Sequence, residues 1–164
     1  MQIRKLTGPL GLAIAFLAGA ILFIVGPAYA WEGSGETIGS PPAHITARVV
    51  DRAFSGDPTA PQLGDRVVVD LDLFSEAGVK VGTGVAACTI VSVPPRETLE
   101  ECLQTLTFPA GNVVLAGVFP LPPAVGAVAR VSVAGGTGDF RKGRGEAVFV
   151  VTAPDVFDIR IDVK

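Results

Sequence analysis

An all-β chain closed into an eight-stranded antiparallel up-and-down β-barrel is what this sequence predicts. Three observations carry that expectation. From His44 onward, apolar and polar residues alternate with period two almost without interruption, as strands with one dry and one wet face do. Each run of alternation ends in a segment bearing glycine or proline, the residues that fix turn dihedrals. Eight short-linked strands in one domain leave unpaired edges unless the sheet closes on itself, and closure removes them. A two-sheet sandwich is the alternative.

The elements follow in chain order. Arg4 and Lys5 precede an apolar run from Leu10 to Val25, which ends at Gly26, Pro27 and the triplet Ala28-Tyr29-Ala30. A basic start, an apolar middle and an A-x-A end make residues 1–30 a secretory signal peptide, helical and cleaved between Ala30 and Trp31. Retention as a signal anchor is the alternative, since the run is only slightly short of a bilayer span. Either outcome exports the chain, so a secreted, extracellular location is expected. Residues 31–43, WEGSGETIGSPPA, hold little apolar content and read as a flexible leader.

The barrel domain then occupies 44–164, with strands expected at 44–51, 65–74, 79–93, 98–108, 113–119, 127–134, 144–152 and 156–164. RVVVDLDLF sets Val67, Val69, Leu71 and Leu73 against Arg66, Asp70 and Asp72; FDIRIDVK sets Phe157, Ile159, Ile161 and Val163 against Asp158, Arg160, Asp162 and Lys164. The separators are SEAG, PPRE, PAGN, PLPPAVGA, GGTG and TAPD, and residues 52–65 form the one long loop. At eight strands the interior is just wide enough to be filled by side chains or to hold one small ligand.

Cleavage changes the inventory. Removing Arg4 and Lys5 from 13 basic residues leaves 11 against 16 acidic ones. That acidic balance repels a phosphate backbone and argues against nucleic acid as a partner. No membrane span remains once the signal is gone. His44 is the only histidine, so a histidine metal site or a Ser-His-Asp triad is built around His44 or not at all. Neither metal nor cofactor is expected.

Cys88 and Cys102 are the only cysteines, and outside the cytosol an even count points to a bridge. A turn at Pro94–Glu97 would seat Cys88 opposite Cys102, Ala86 opposite Gln104, Gly84 opposite Leu106 and Gly82 opposite Phe108. Closing so short a loop stabilises by about 3 kcal/mol. Two free buried thiols are the alternative. The even-numbered face, small residues against large apolar ones, is the expected interior.

The stretch VSVAGGTGDFRKGRGEAVFV invites reading as a phosphate loop. Such a loop needs amides converging at a helix start, whereas Ala147 to Val151 continue as strand and no Gly-Lys-Ser/Thr occurs. Gly135, Gly136 and Gly138 read instead as a structural corner, where positive φ or close backbone approach excludes a β-carbon. Arg141, Lys142 and Arg144 then become solvated charges within reach of Asp139 and Glu146.

AGGTGDFRKGRGEAVF resembles the GGTG-aromatic-x-x-x-R-G signature of allene oxide cyclase/dirigent-like barrel proteins. GDRVVVDLDLFSEAGVKVGTGVAACTIV resembles their glycine-interrupted early strands, and CLQTLTFPAGNVVLAGVF their strand–turn–strand. The resemblance spans roughly residues 44–164. It implies an eight-stranded antiparallel barrel holding a hydrophobic substrate, with dimers or trimers common. It also implies templating without a cofactor, as in cyclases that fold a flexible chain into a reactive shape. The family's pockets are tyrosine-lined, and this chain has no tyrosine beyond Tyr29, so a phenol-assisted step finds no residue.

Candidate site residues follow from the even face and its neighbours. Gln104 is an inward polar group able to hydrogen-bond a substrate carbonyl, unless it satisfies backbone at the rim. Glu100 shares that face near one mouth and is the other catalytic candidate, as acid or base if buried; solvation beside Glu101 is the alternative. Leu106 and Phe108 are candidate apolar ligand contacts. Arg130, alone among apolar neighbours in VARVSV, is a candidate cap for an anionic ligand or a solvated charge. His44 reads as a satisfied or exposed histidine, and Asp70 with Asp72 lack the loop a calcium site needs. Three functions remain open: a cofactor-independent cyclase or isomerase, a lipocalin-like carrier of a small hydrophobic ligand, and a solid structural domain.

Overall fold

The computed structural model describes residues 42–163, so the signal segment and nearly all of the leader lie outside the described residues. Eight strands close into one antiparallel barrel in sequence order: β1 (His44–Phe54), β2 (Arg66–Phe74), β3 (Lys80–Ser92), β4 (Leu99–Phe108), β5 (Gly111–Pro120), β6 (Val128–Gly136), β7 (Gly145–Ala153) and β8 (Val156–Val163). The seam is β1 against β8, with Ile45 facing Ile159 and Ala47 facing Phe157. Every strand therefore has two partners, and no edge is left to template association.

The alternation maps onto the wall as the sequence suggests. Val67, Val69, Leu71 and Leu73 are buried along β2, and Ala86, Cys88 and Ile90 along β3. The β3–β4 register seats Gly84 against Leu106, Ala86 against Gln104 and Cys88 against Cys102, and a disulfide joins the two cysteines.

Strand ends fall within three residues of expectation, and two of the departures have a reason in the ladder. β1 runs on to Phe54 because the β1–β2 register slips between Val49 and Asp51 and then continues, Arg52 facing Val69 and Phe54 facing Val67. β5 begins at Gly111 because Phe108 pairs directly with it, leaving only Pro109 and Ala110 as the turn.

The two ends of the barrel are built differently. At the end where β4 passes into β5, Ile45, Leu73, Leu106 and Val113 are fully buried, each such side chain stabilising the fold by roughly 1.5–3 kcal/mol. Gly84 makes room here: a β-carbon on it would lie 3.0 Å from Leu106 and 3.4 Å from Leu71. Phe108 meets Phe140 edge to face, centroids 6.0 Å apart.

The glycine cluster closes this same end. Gly135 sits where the β5–β6 register slips between Val114 and Leu115. A β-carbon on Gly136 would lie 2.5 Å from the Asn112 carbonyl oxygen. Gly138, at φ +59°, would put one 2.2 Å from that of Ala110. A single 3₁₀ turn, Gly138–Phe140, follows. Its amides are already used, Asp139 N–H donating to Ala110 and Phe140 N–H to Thr137. These amides are thus not converged on a ligand site but spent on closing the corner. The expected pairing of its basic residues with Glu146 is replaced: Glu146 accepts from Arg130 across β6–β7, and Arg144 donates to the Gly143 carbonyl at 2.7 Å.

The opposite end carries the longer connections. Residues 55–65 fold back along β3, Gly64 N–H donating to Ile90 and Ile90 N–H donating to Asp65. Residues 93–98 and 121–127 flank the same mouth.

Candidate functional site

The barrel interior is not filled throughout. From mid-height to the long-loop end there is a cavity, with about 630 Å³ of space between side chains, its mouth included. Water-sized centres fit into about 60 Å³ of it. All eight strands contribute to its wall. Val69 and Leu71 come from β2, Ala86 and Cys88 from β3, Phe119 from β5, Phe149 and Val151 from β7, and Phe157 from β8. Phe119 and Phe149 meet edge to face at 5.2 Å. Pro120, Pro123 and Ala127–Ala129 frame the mouth. An outer groove walled by Pro58, Pro61, Pro94 and Pro122 adjoins the cavity, and Arg52 and Pro123 line both.

Three polar side chains enter this apolar space: Glu100 and Gln104 from β4, and Arg52 from β1. Gln104 is 6% exposed, the only buried polar or charged residue among those described. Its Oε1 and the Oε2 of Glu100 are both buried without a hydrogen-bond partner. Such groups ordinarily find partners, and leaving one unmade costs about 1–3 kcal/mol. Burial pushes the Glu100 carboxyl above the ordinary glutamate value, and the nearby positive charge of Arg52 pulls it partly back. Arg52 itself pairs with Asp155 at 3.2 Å. A carboxyl that resists ionisation can donate a hydrogen bond at a pH where an exposed one only accepts.

The remaining candidates are dispersed. Leu106 and Phe108 face inward as expected, but they belong to the packed half and do not line the cavity. Arg130 does not reach it either: on β6 the inward position is Val131, so Arg130 points outward, with its side chain 68% exposed and paired to Glu146 at 2.6 Å. His44 bonds Glu76 through Nδ1 and Asp158 through Nε2, which makes it a tie between strands and a turn, remote from the cavity. The hydrogen bond to Glu76 raises its pKa most, ahead of those from Asp158, against a lowering by desolvation. Asp72 pairs with Lys80 at 2.6 Å, and Asp70 is exposed on the outer wall.

Cys88, Glu100 and Cys102 bring a sulfur or carboxylate oxygen each within 4.8 Å of one another. Joined as a disulfide, the sulfurs offer no thiolate to a metal. They form instead a polarisable strip of wall between Glu100 and Gln104.

Arg52 is the functional residue that sequence reasoning missed. Straight alternation from Ile45 and Ala47 points residue 52 outward; the slip after Val49 reverses the parity and turns it inward. The adjacent Val49-Val50 pair, a break in strict alternation, was the available signal.

Comparison with known proteins bears on this architecture. The family described as "allene oxide cyclase barrel like domain" matches residues 44–161. No curated protein sequence matches the chain. Among solved structures, a pyocyanin demethylase superposes with a TM-score of 0.61 at 22% identity, covering 74% of this chain and 98% of the other. A pterocarpan synthase dirigent protein gives 0.60 at 19% identity, with 83% and 98% covered. An exo-specific intermolecular Diels–Alderase gives 0.59 at 17% identity, with 73% and 91% covered. At these identities the likenesses establish the fold.

Proposed function

The chain belongs to the allene oxide cyclase barrel-like family, and from that premise we propose that it holds a small hydrophobic molecule in its open half and acts on it as a cofactor-independent cyclase or isomerase. One observation carries the reading. An apolar cavity contains two buried polar atoms, Glu100 Oε2 and Gln104 Oε1, for which the protein supplies no partner. A folded chain that leaves such groups unmet gains by binding a molecule that meets them. The structurally similar Diels–Alderase adds a precedent for ring formation on this fold.

The chemistry available is modest and suits the residues. The aromatic and aliphatic wall holds a flexible substrate in one compact conformation, so that reacting carbons meet without the entropy of searching. The Glu100 carboxyl, whose pKa burial raises, in its protonated form donates a hydrogen bond to a substrate oxygen and polarises it. Gln104 Oε1 accepts from a substrate hydroxyl. In an isomerisation or cycloaddition the atoms of substrate and product balance, so no reductant, oxidant or water is consumed.

Carriage without conversion is the second reading, favoured by the absence of any tyrosine, serine, lysine or histidine from the cavity wall. Export belongs to the proposal too: the basic start, apolar run and A-x-A end support secretion with cleavage before Trp31, and the disulfide suits an oxidising compartment.

The mature chain purified from its producer and examined by native mass spectrometry tests the binding step. A co-purifying apolar metabolite is expected. Incubating that metabolite or candidate polyenes with the protein then separates the two readings. Faster or stereochemically biased ring closure supports catalysis, whereas release unchanged supports carriage. A chain that carries and binds nothing overturns both.

A further inference from the structure

The two unpartnered atoms lie on one strand, four residues apart. Positions 100 and 104 of β4 point to the same side of the wall, with Cys102 between them. At about 3.3 Å per residue their α-carbons are roughly 13 Å apart. Gln104 lies deeper and Glu100 nearer the mouth, beside Arg52.

The wall around each is apolar on both neighbouring strands. Gln104 faces Ala86 on β3 and Leu115 on β5; Glu100 faces Ile90 and Phe119. Cys102, with its sulfur bonded to Cys88, faces Gly117. Between the two polar groups the wall offers no side chain that can pair with a polar atom of a ligand, and only Arg52, at the Glu100 end, stands beside either. The free cavity admits only about four to six waters, taking about 10–15 Å³ for each of the 60 Å³ open to water centres.

We propose that the ligand is an elongated apolar molecule bearing two hydrogen-bonding oxygen functions at opposite ends, the inner one held by Gln104 and the outer one by Glu100. This rests on the cavity being a ligand site and adds a spacing rule to it. The middle of the ligand is hydrocarbon, because it lies against the disulfide, Ala86 and Phe119. An oxygen placed mid-chain is rejected, since it would be buried without a partner. The inner function is a hydroxyl, because the unmet atom there, Gln104 Oε1, is an acceptor and needs a donor. At the outer end a carbonyl or a hydroxyl is equally accommodated by a carboxyl that both donates and accepts.

Hydrophobic transfer alone ranks ligands the other way, which makes the test sharp. A second hydroxyl lowers the drive to leave water, so an unspecific oily cavity binds a mono-alcohol more tightly than the corresponding diol. Isothermal titration of the mature protein compares a straight-chain decanediol, hydroxylated at both ends, with decan-1-ol. We expect the diol to bind about tenfold more tightly, one satisfied buried group being worth about that factor. Gln104→Met, which keeps the length and removes the amide, should erase the diol's advantage while leaving the mono-alcohol's affinity within about twofold. A diol that binds no better than the mono-alcohol to the unaltered protein overturns the two-point proposal and leaves the cavity reading standing. Failure of both to bind overturns the cavity reading, and this proposal with it. The comparison on the unaltered protein decides without relying on the variant folding.

Discussion

Replacing Glu100 by glutamine isolates the electrostatic claim on which the site depends. The carboxyl titrates above its reference value of 4.5 because burial disfavours its charged form, Arg52 offsetting part of the effect. An acid with a raised native pKa keeps its proton in the fold after the unfolded chain has released it. The native state then binds more protons, and stability falls as pH rises from the ordinary glutamate value to the raised native one, beyond which it is flat. Below the ordinary value the group contributes nothing. The slope for one group is at most about 1.4 kcal/mol per pH unit, and part-exposure of the residue reduces it. With a urea dependence of roughly 1–3 kcal/mol per molar, the midpoint difference between the two proteins changes by at most about 0.5–1.4 M per pH unit. The assay is urea denaturation of wild type and Glu100→Gln across a pH series. Taking the difference cancels every other carboxylate. The variant should gain on the wild type as pH rises through the window and run parallel on either side of it. A difference that is constant with pH, or that favours the wild type as pH rises, refutes the burial of a neutral carboxyl in the cavity.

Three further outcomes follow from the same structure. Gly138→Val should cost about 1–3 kcal/mol, because it forces a branched side chain into positive φ and a β-carbon to 2.2 Å from the Ala110 carbonyl oxygen; thermal melting reads this, and an unchanged midpoint would contradict the corner. Cys88→Ser with Cys102→Ser should lower stability by about 3 kcal/mol under oxidising conditions, with the gap to wild type closing when reductant is added; chemical denaturation with and without dithiothreitol checks it. His44→Ala should lose a stabilisation that wild type has in full below the ordinary histidine pKa of 6.5 and gives up as pH rises through the raised native value. Melting temperatures of the pair should therefore diverge in acid and converge in alkali.

The architecture was readable from sequence where local rules and tertiary need coincide. Alternation fixed the inward set on β2 and β8, and the PPRE turn fixed the β3–β4 register closely enough to seat Cys88 on Cys102 and Gln104 on Ala86. Glu100 and Gln104 were thereby placed on the inner face before any coordinates. Illegible features arise from register slips and from closure. One extra residue near Val50 turns Arg52 inward, and no periodicity template anticipates a single-residue bulge. Phe119, Phe149 and Phe157 meet only because β5, β7 and β8 share one interior. Sequence could mark each as apolar but not as a neighbour of the others. Leu106 and Phe108 were placed on the right face and at the wrong depth, since parity says which way a side chain points and nothing of how far the filling extends.

Depth also explains why the most conspicuous motif is silent about activity. GGTG lies at the filled end, with Thr137 N–H donating to Asn112, the following Asp139 N–H to Ala110 in the β4–β5 turn, and Phe140 packed on Phe108. The cavity opens at the other end, among loops of 93–98 and 121–127 whose residues the motif never touches. A barrel needs one end stitched to hold its register, and the side-chain geometry that seals that end is the same whatever occupies the other. A signature there reports the fold, while residues at the open end are free to change without loss of closure. On the proposed reading, discrimination among ligands therefore falls to the cavity residues Arg52, Glu100 and Gln104 and to the proline-framed mouth. Substitutions at GGTG should alter how firmly the barrel stands, with little change in the relative affinities of ligands for the protein that remains folded.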